Sequence, residues 1–449
     1  MKLMLTDYII LIIGIITLFL FIYFSVISYN ENEKQASIKL AIIGILAFLL
    51  FLTVDIYSFQ YKNLISISII IFVAITFIIL LFPYQKKNNL NSRIPKKQID
   101  ERDIMFSRYN LIEHTNKYNN YYSENPELKD FDDYLRNKPG LLSEKSALYN
   151  QHLFSATEAT FTVSQHLKSI VQGIPRERKT VNIIETTNFI KNWVTHLGAV
   201  SVGITELKEY HLYSHHGRKF HGEKIVNNDK YAIAFTVEMD KDLIDSSPNA
   251  PTILESSKKY VDAAVIAVQL AKYIRNLGFN ASAHIDESYE VVCPLVARDA
   301  GLGEIGRMGL LMTPELGPRV RIAVVTTEIE LITDSINEQP SIINFCTICK
   351  KCAESCPSNA ISFNKRENID GTIRWQINQE KCFEFWVNIG TDCGKCVSVC
   401  PYSHPNNLMH NIIRSGIRNS SIFSILALKM DDYFYGRKPK IKISEKLGL

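Results

Sequence analysis

The stretch that decides the fold of the C-terminal region is Cys346-x2-Cys349-x2-Cys352-x3-Cys356-Pro357. A second run, Cys393-x2-Cys396-x3-Cys400-Pro401, follows it, with Cys382 upstream of the second run. Together they take eight of the nine cysteines in the chain. A cubane cluster needs one thiolate for each iron, and two-residue gaps let a single loop supply three of them.

This spacing predicts two [4Fe–4S] clusters in a C-terminal two-cluster bacterial ferredoxin-like module, in which the fourth cysteine of each run ligates the other cluster. Gly390 stands where the first ligand of the second run would normally be, so Cys382 is predicted to replace it. The two predicted ligand sets are Cys346, Cys349, Cys352 and Cys400, and Cys393, Cys396, Cys356 and Cys382. Zinc and disulfides are the alternatives, and neither requires this regular spacing.

Length and composition bound the rest of the chain. Its 449 residues suffice for two or three domains, and the hydrophobic content of 46% suffices for a core. The net charge of +4 indicates no nucleic-acid partner. Cys293, the remaining cysteine, lies in an apolar stretch and is interpreted as a buried, inert thiol. Cluster thiolates need a reducing compartment, so the cluster-bearing part is expected to fold in the cytoplasm.

Three apolar runs predict a three-helix transmembrane anchor over residues 1–85, namely Tyr8–Ser28, Leu40–Phe59 and Leu64–Pro83. Basic residues follow the third run: Lys86, Lys87, Arg93, Lys96 and Lys97. The positive-inside rule then predicts a multi-pass protein of the cell membrane whose catalytic domain faces the cytoplasm. Asp55 is interpreted as a hydrated residue at the outer interface rather than an intramembrane proton or quinone site.

The soluble part is predicted to contain a basic linker over residues 84–100 and an α/β core. Residues 109–138 lack clear periodicity and are expected to wrap this core. The predicted helices are Val181–His196 and Ser256–Leu277, and the predicted strands are Ala199–Ile204, Tyr231–Met239 and Val320–Thr327. The predicted domains are a catalytic domain over residues 86–340, the cluster module over 341–410 and a C-terminal tail over 411–449.

Two motifs invite a ligand-binding interpretation that their context does not favour. Residues 301–306 read G-L-G-E-I-G, but a dinucleotide fingerprint needs a strand before it and a helix after it. Here a helix end precedes the glycines and Pro314 follows, so the glycines are expected to permit close approach of the backbone. Four histidines, His211, His215, His216 and His221, lack a register typical of metal ligands and are interpreted as a polar loop.

Several segments in order resemble the corrinoid- and iron–sulfur-dependent reductive dehalogenases. These are Glu101–Arg108, Tyr121-Tyr122, Asn125-Pro126-Glu127, Ala300–Arg307, Gly317–Arg321 and the two cysteine runs. The resemblance covers residues 101–410. Respiratory members typically carry a cleaved twin-arginine signal, which is not found before the first apolar run. The resemblance therefore implies dehalogenation more strongly than respiratory use.

The resemblance implies a nitroreductase-like core that binds a cobamide, a small organohalide substrate and an unidentified low-potential electron donor, either membrane-bound or soluble. It places a proton-donating tyrosine at Tyr260, with Arg319 as the cation that lowers its pKa and Arg321 as second choice. Tyr213 and Tyr289 are rival donors. Gly301, Gly303 and Arg321 are the residues predicted to contact the cofactor.

Tyr260 shares one face of its predicted helix with four small residues, Ala263, Ala264, Ala267 and Ala271. This face would admit either a flat macrocycle or a closely packed backbone. Two other functions remain open: a corrinoid-dependent tRNA-modifying enzyme resembling epoxyqueuosine reductases, and a membrane-bound iron–sulfur subunit that only transfers electrons.

Overall fold

The computed structural model describes residues 5–56, 62–81, 94–336 and 338–448. They divide into two compact units, one formed by residues 1–87 and 406–440 and the other by residues 88–405 and 441–449. The first unit begins with three helices, α1 (Leu5–Asn30), α2 (Lys34–Ile56) and α3 (Lys62–Leu81). Their apolar composition follows the three predicted runs.

Two of these helices are long and apolar enough to cross a membrane, over Tyr8–Asn30 and Lys34–Ile56. In the third helix the apolar stretch is shorter and covers Asn63–Thr76. Asp55 lies near the C-terminal end of α2. Lys86, Lys87 and Arg93, on which the predicted orientation partly depends, lie outside the described residues.

The second unit is built on a sheet with helices on both faces. Its helices are α4 (Met105–Tyr109), α5 (Asn116–Glu124), α6 (Pro126–Arg136), α7 (Gln151–Leu167), α8 (Ile183–His196), α9 (Lys241–Asp245), α10 (Ala250–Asn276) and α11 (Cys293–Asp299). Its strands are β1 (Ser201–Glu206), β2 (Tyr231–Glu238), β3 (Ala281–His284), β4 (Glu304–Ile305), β5 (Leu311–Met312) and β6 (Val320–Thr327).

The main sheet has the order β1-β2-β6-β3, and each neighbouring pair is antiparallel. Alternation along β2 assigns its two faces, because successive side chains of a strand point to opposite sides. Ile233 and Phe235 join the core formed with α8 and α10, whereas Ala232 and Ala234 join the core formed with α11. The predicted helices and strands of this core are present, with α10 beginning six residues earlier than expected.

Residues 109–138 differ from the expectation of an irregular wrapping segment, since they include α5 and α6. Their small core consists of Leu111, Tyr118, Tyr121 and Tyr122. The tyrosine hydroxyls are satisfied by carboxylates, as in Tyr118 to Asp133 at 2.7 Å. Aromatic residues with polar ends can therefore build a core that hydrophobic periodicity alone does not reveal.

The cysteine runs lie in short helices and turns of the second unit. These elements are α12 (Pro340–Cys349), α13 (Lys351–Glu354), β7 (Glu367–Ile369), β8 (Thr372–Arg374), α14 (Gln379–Ile389) and α15 (Lys395–Ser398). Lys350 and Gly394, each between two ligand cysteines, adopt left-handed backbone conformations. These conformations turn the chain sharply within each run, as a loop wrapped around a compact cluster requires.

The segment interpreted from the sequence as a tail contains two helices, α16 (Leu408–Asn419) and α17 (Ser421–Tyr435). Residues 406–440 belong to the same compact unit as α1, α2 and α3. Residues 441–448 return to the second unit, where Lys446 pairs with Asp240 at 2.6 Å. The C-terminal segment is therefore divided between the two units.

Candidate active site and cluster module

The second unit encloses a cavity of about 740 Å³ between α7, α10, β6 and the loops that precede α11. Aromatic side chains form much of its wall, namely Phe106, Phe161, Tyr213, Tyr260, Tyr289 and Trp386. Charged groups also reach it, including Arg218, Asp286, Arg321 and Asp392. Its volume and its mixture of apolar walls with a few polar groups are typical of a ligand site.

Tyr260 lies on this wall beside a guanidinium group. The Arg321 guanidinium carbon is 4.8 Å from the centre of the Tyr260 ring. Arg321 Nη2 donates to Ser256 Oγ at 2.7 Å and to Asp392 Oδ2 at 3.1 Å. The Ser256 hydroxyl also donates to Asp392. Asp392 therefore fixes the arginine that covers the tyrosine, and it immediately precedes the cluster ligand Cys393.

The protonation of Tyr260 is set by opposing effects. The Arg321 charge lowers the pKa of Tyr260, but burial and the carboxylates of Asp286 and Asp392 raise it, and the pKa lies above its ordinary value. A phenol with a raised pKa is protonated at neutral pH. Tyr260 is thus able to donate a proton, although its pKa is not lowered overall as the sequence analysis expects.

Arg319 does not occupy the role predicted for it. It is 1% exposed and its Nε donates to the carbonyl of Ser403 at 2.8 Å, while its Nη1 pairs with Glu238 at 2.8 Å. These contacts join the main sheet to the end of the second cysteine run. Arg319 precedes β6 and is held by Ser403 and Glu238, whereas Arg321 lies within the strand and its guanidinium group faces the Tyr260 ring. Arg321 is accordingly the cation beside the tyrosine.

The rival tyrosines lie on the same cavity wall. Tyr213 and Tyr289 have ring centroids 5.7 Å apart, and Tyr289 Oη accepts from Arg218 Nη2 at 2.7 Å. Burial raises the pKa of both hydroxyls. Tyr260 differs from Tyr289 because it makes no hydrogen bond to another described residue, which leaves its hydroxyl available to a ligand.

Several polar atoms around the cavity are buried and lack a hydrogen-bond partner among the described residues. They are Arg218 Nε and Nη1, Arg321 Nε and Asp392 Oδ1. Buried polar groups are normally satisfied, so these atoms are available to a polar ligand, and Arg218 Nε also has an ion-pair contact with Glu101 at 3.6 Å. Arg218 and Asp392 were missed by the sequence analysis, although the position of Asp392 beside Cys393 offered a signal.

The alanine face of α10 does not line the cavity. Ala263, Ala264, Ala267 and Ala271 are at most 1% exposed and belong to the core between α10 and the main sheet. Close packing of a helix on a sheet, the alternative stated for this face, is therefore what the structure contains. Tyr260 lies outside this core cluster, towards the N-terminal part of α10.

Gly301 and Gly303 lie in the connection from α11 to β4. A Cβ at Gly303 would come 2.1 Å from the carbonyl oxygen of Met312, so this glycine permits close approach of two backbone segments. The helix before the motif and the strand after it confirm that this is not a dinucleotide fingerprint. Among the described lining residues of the cavity neither glycine appears, and their contact with a cofactor stays a prediction.

Cys382 and the seven cysteines of the two runs are free thiols. The pKa of Cys400 is raised by burial and by Cys346, Cys349 and Cys352. The pKa of Cys382 is raised to about 11 by burial, by Cys356 and by Asp392. Cys393 is in turn influenced by Cys382 and Cys356. The pKa of Cys396 is raised by Cys393 and also by Cys352 of the other predicted set, so the two ligand sets, including Cys382, stay a prediction.

The described residues contain no group of three donors converging on a single metal ion. The thiols around a cubane cluster each bind a different iron. The backbone amide of Ala360 donates to Cys356 Sγ at 3.3 Å, and the Arg307 charge lowers the pKa of Cys346 against the effect of burial. Such donors and charges stabilise cluster thiolates.

The histidine loop has structural contacts. His211 is fully buried, and its ring bonds Asp299 at 2.9 Å and accepts from the amide of Lys208 at 3.1 Å. His215 contacts Asp100 at 3.2 Å. Cys293 is half-buried on the cavity wall, and burial raises its pKa to about 12, so its thiol is neutral.

Comparison with known proteins gives matches over part of the chain. The family model for a 4Fe-4S dicluster domain matches residues 345–404. The tetrachloroethene reductive dehalogenase of Sulfurospirillum multivorans is 30% identical over 303 residues, which cover 59% of this chain and 60% of that protein. The chain is similar to reductive dehalogenases over about three-fifths of its length. Its match spans only about three-fifths of that relative's length.

Solved reductive dehalogenases share the fold. The catabolic enzyme NpRdhA in complex with 3-bromo-4-hydroxybenzoic acid has a TM-score of 0.65 at 21% identity, covering 81% of this chain and 49% of that one. A second structure, described as suggesting a mechanism for B12-dependent dehalogenation, has a TM-score of 0.61 at 23% identity, covering 69% and 46%. Epoxyqueuosine reductases match a shorter stretch, 30% of this chain for the Lactococcus garvieae enzyme.

Proposed function

We propose that this chain is a cobamide-dependent reductive dehalogenase. The reaction is R–X + 2e⁻ + H⁺ → R–H + X⁻, in which the carbon–halogen bond breaks and a carbon–hydrogen bond forms. The observation that carries this proposal is the protonated Tyr260 beside Arg321 on a large cavity, joined through Asp392 to the loop of Cys393. Proton donor and electron source thus meet at one cavity.

The residues of the cavity fit a corrinoid. A corrinoid is a broad macrocycle edged with amide groups, and the unpartnered atoms of Arg218, Arg321 and Asp392 offer donors and an acceptor to such groups. The nitroreductase-like assignment of the core belongs to the same proposal. When bound, the cobamide supplies the two-electron cleavage of the carbon–halogen bond. The protein positions the substrate, excludes water and holds the proton at Tyr260 Oη.

The two cysteine groups are proposed to hold one [4Fe–4S] cluster each. Electrons are proposed to enter from a low-potential donor, either soluble or in the membrane, and to leave towards the cavity. The cluster proposed to be held by Cys393 is the better placed to pass electrons to the cavity, because Asp392, the residue before Cys393, lines the cavity. The substrate is proposed to be a small organohalide, aromatic or alkenyl, as the aromatic walls favour apolar ligands.

Cobamide binding tests this proposal without requiring knowledge of the substrate. Chain purified without oxygen and folded with cobamide is expected to retain about one cobalt and about eight irons, the two clusters having four each. Absence of cobalt alongside a full iron content would favour the electron-transfer subunit instead. The electron-transfer alternative leaves the cavity unexplained. A tRNA-modifying enzyme is expected to present a strongly basic face, and the net charge of +4 does not suggest one.

Arg321 is expected to control the acidity of Tyr260. Arg321→Met removes the charge that lowers the pKa of Tyr260, so the phenol donates its proton less readily and turnover is expected to fall. Arg321→Lys keeps the charge and is expected to retain more activity than Arg321→Met. Only the protonated phenol donates, so a loss of rate caused by Tyr260 is expected only as pH rises through its raised pKa, above about pH 10. Steady-state rates against pH measure both effects.

Arg319→Met is the matched control for this series. Its contacts are structural, so it is expected to lower the melting temperature while turnover per folded, iron-replete chain stays close to that of the unchanged protein. If Arg319→Met instead shifted the pH profile and Arg321→Met did not, the assignment of the cation would be reversed.

The membrane arrangement is proposed to have three spans with the catalytic domain in the cytoplasm. The third span is α3, and the orientation follows the basic residues after it. A reporter fused after Leu449 that is active only outside the cytoplasm is expected to be silent. A strong signal from that reporter, with a silent cytoplasmic reporter at the same place, would show the opposite orientation.

A further inference from the structure

The helices α16 and α17 are attached to one end of the apolar helices in the first compact unit. His410 on α16 contacts Glu31 at 3.1 Å, and Glu31 also bonds Asn407. Lys39 Nζ donates to the carbonyl of Tyr433 on α17 at 2.5 Å and lies 4.5 Å from the centre of its ring. All these partners in α1 and α2 lie at or near the turn between the two helices.

This turn fixes the depth of the helix pair. Its sequence, Asn30-Glu31-Asn32-Glu33-Lys34, is too polar for hydrocarbon, whereas α1 and α2 are each long enough to cross it. A turn between two spanning helices therefore lies at the level of the lipid headgroups. Because α16 and α17 are held against it, they lie at that level too. This step rests on the proposed membrane anchor and not on dehalogenation.

The outer face of α17 is apolar although it is exposed. Ile422, Ile425, Leu426 and Tyr433 are 46%, 51%, 37% and 55% exposed, and their spacing places them on one side of the helix. The opposite side, with Ser424, Ala427 and Asp431, is buried. A helix whose polar and small residues face the protein while isoleucines face outwards is suited to an apolar surrounding.

Charge indicates which surrounding this is. Residues 406–440 contain six basic residues, Arg414, Arg418, Lys429, Arg437, Lys438 and Lys440, against two acidic ones, Asp431 and Asp432. Lys429 is exposed on the same side of the helix, between Ile425 and Ile422 around its axis, and Lys438 and Lys440 are exposed just after the helix. Apolar residues bordered by lysines, with a tyrosine at the end, are typical of helices lying in an anionic membrane interface.

We propose that α17 is an interfacial helix, which lies in the boundary between headgroups and acyl chains of the leaflet at the α1–α2 turn and is attracted to anionic lipids. It would add a lateral contact with the bilayer to the spanning helices. In this proposal lipid covers the exposed stripe. Contact of the stripe with a second copy of the chain would exclude the proposal.

Photocrosslinking tests this proposal on the full-length chain. The photoreactive residue p-benzoylphenylalanine replaces Ile425 in one protein and Ile45, an exposed residue of α2, in a second. Each is reconstituted into vesicles of phosphatidylcholine alone or with phosphatidylglycerol, and iron content verifies folding. Lipid adducts are expected at both positions, with a higher yield at Ile425 when phosphatidylglycerol is present. Replacing Lys438 with glutamine should lower that lipid preference by up to about fivefold.

The two positions distinguish the possible failures. Lipid adducts at Ile45 but none at Ile425, or an adduct between two chains at Ile425, would overturn the interfacial helix and leave the anchor intact. Absence of lipid adducts at both positions would overturn the anchor together with the helix. Equal yields at Ile425 in the two lipid mixtures would refute the preference for anionic lipid. Halide release measured in detergent is unaffected in each case, so dehalogenation is tested separately.

Discussion

Tyr260→Phe is expected to lower dehalogenation by about 10²–10⁴-fold, the usual contribution of a positioned general acid. The change removes one hydroxyl from the cavity wall and keeps the ring that Arg321 covers. Iron and cobamide contents are therefore expected to stay unchanged. Turnover with a strong chemical reductant, measured as halide released per loaded chain, isolates the loss of the proton donor from any loss of electron supply.

Tyr273→Phe is the matched control, because Tyr273 lies on the same helix and packs against Trp193 with ring centroids 5.2 Å apart. It is expected to leave turnover nearly unchanged. Full activity in Tyr260→Phe would contradict the assignment and move the donor role to Tyr213 or Tyr289. Phenylalanine at those two positions, tested in the same assay, would then identify the donor.

Cys382→Ser is expected to remove one cluster and reduce the iron content from about eight to about four per chain. The expectation follows from the position of Cys382 in the group formed with Cys356 and Cys393. Activity should be lost together with the cluster, because the electron path to the cavity is interrupted. Iron analysis with electron paramagnetic resonance of the reduced protein counts the clusters directly.

Gly390→Cys in the Cys382→Ser background is the informative control. Gly390 has φ of +82°, and a Cβ there would lie 2.1 Å from the hydroxyl oxygen of Ser146. A cysteine at this position is therefore strained and is not expected to restore the second cluster. Eight irons in the Cys382→Ser single variant would contradict the ligand assignment, since the fourth ligand would have to come from another residue.

The cysteine runs were predictable because their information is local. Spacing along the chain sets which thiols can surround one cluster, and the assignment of Cys382 in place of Gly390 stays a prediction. The strand Val320–Thr327 was equally evident, since a continuous β-branched run between turns has few alternatives. The neighbouring helix α10 was predicted to begin at Ser256 but begins at Ala250. Pro251 is tolerated in the first turn of a helix and so permits this earlier start.

The identity of the cation beside Tyr260 was not predictable from local sequence. Arg319 and Arg321 stand two residues apart, and which of them reaches the cavity depends on the register of β6 in the sheet and on where the cluster module supplies Ser403 and Asp392. These partners are more than 70 residues away along the chain. The two helices at the end of the chain were missed for a similar reason, since their partners are α2 and α3.

Halide release by the loaded chain tests the proposed dehalogenation. The full-length chain, loaded with cobamide and about eight irons, is supplied with reduced viologen and a panel of chlorinated and brominated ethenes and phenols. We expect catalytic release of halide, with one hydrogenated product formed and two electrons consumed for each halide ion. Without cobamide we expect no halide release. The proposal is contradicted if chain that holds both clusters and cobamide releases no more halide than free cobamide does, for every member of the panel.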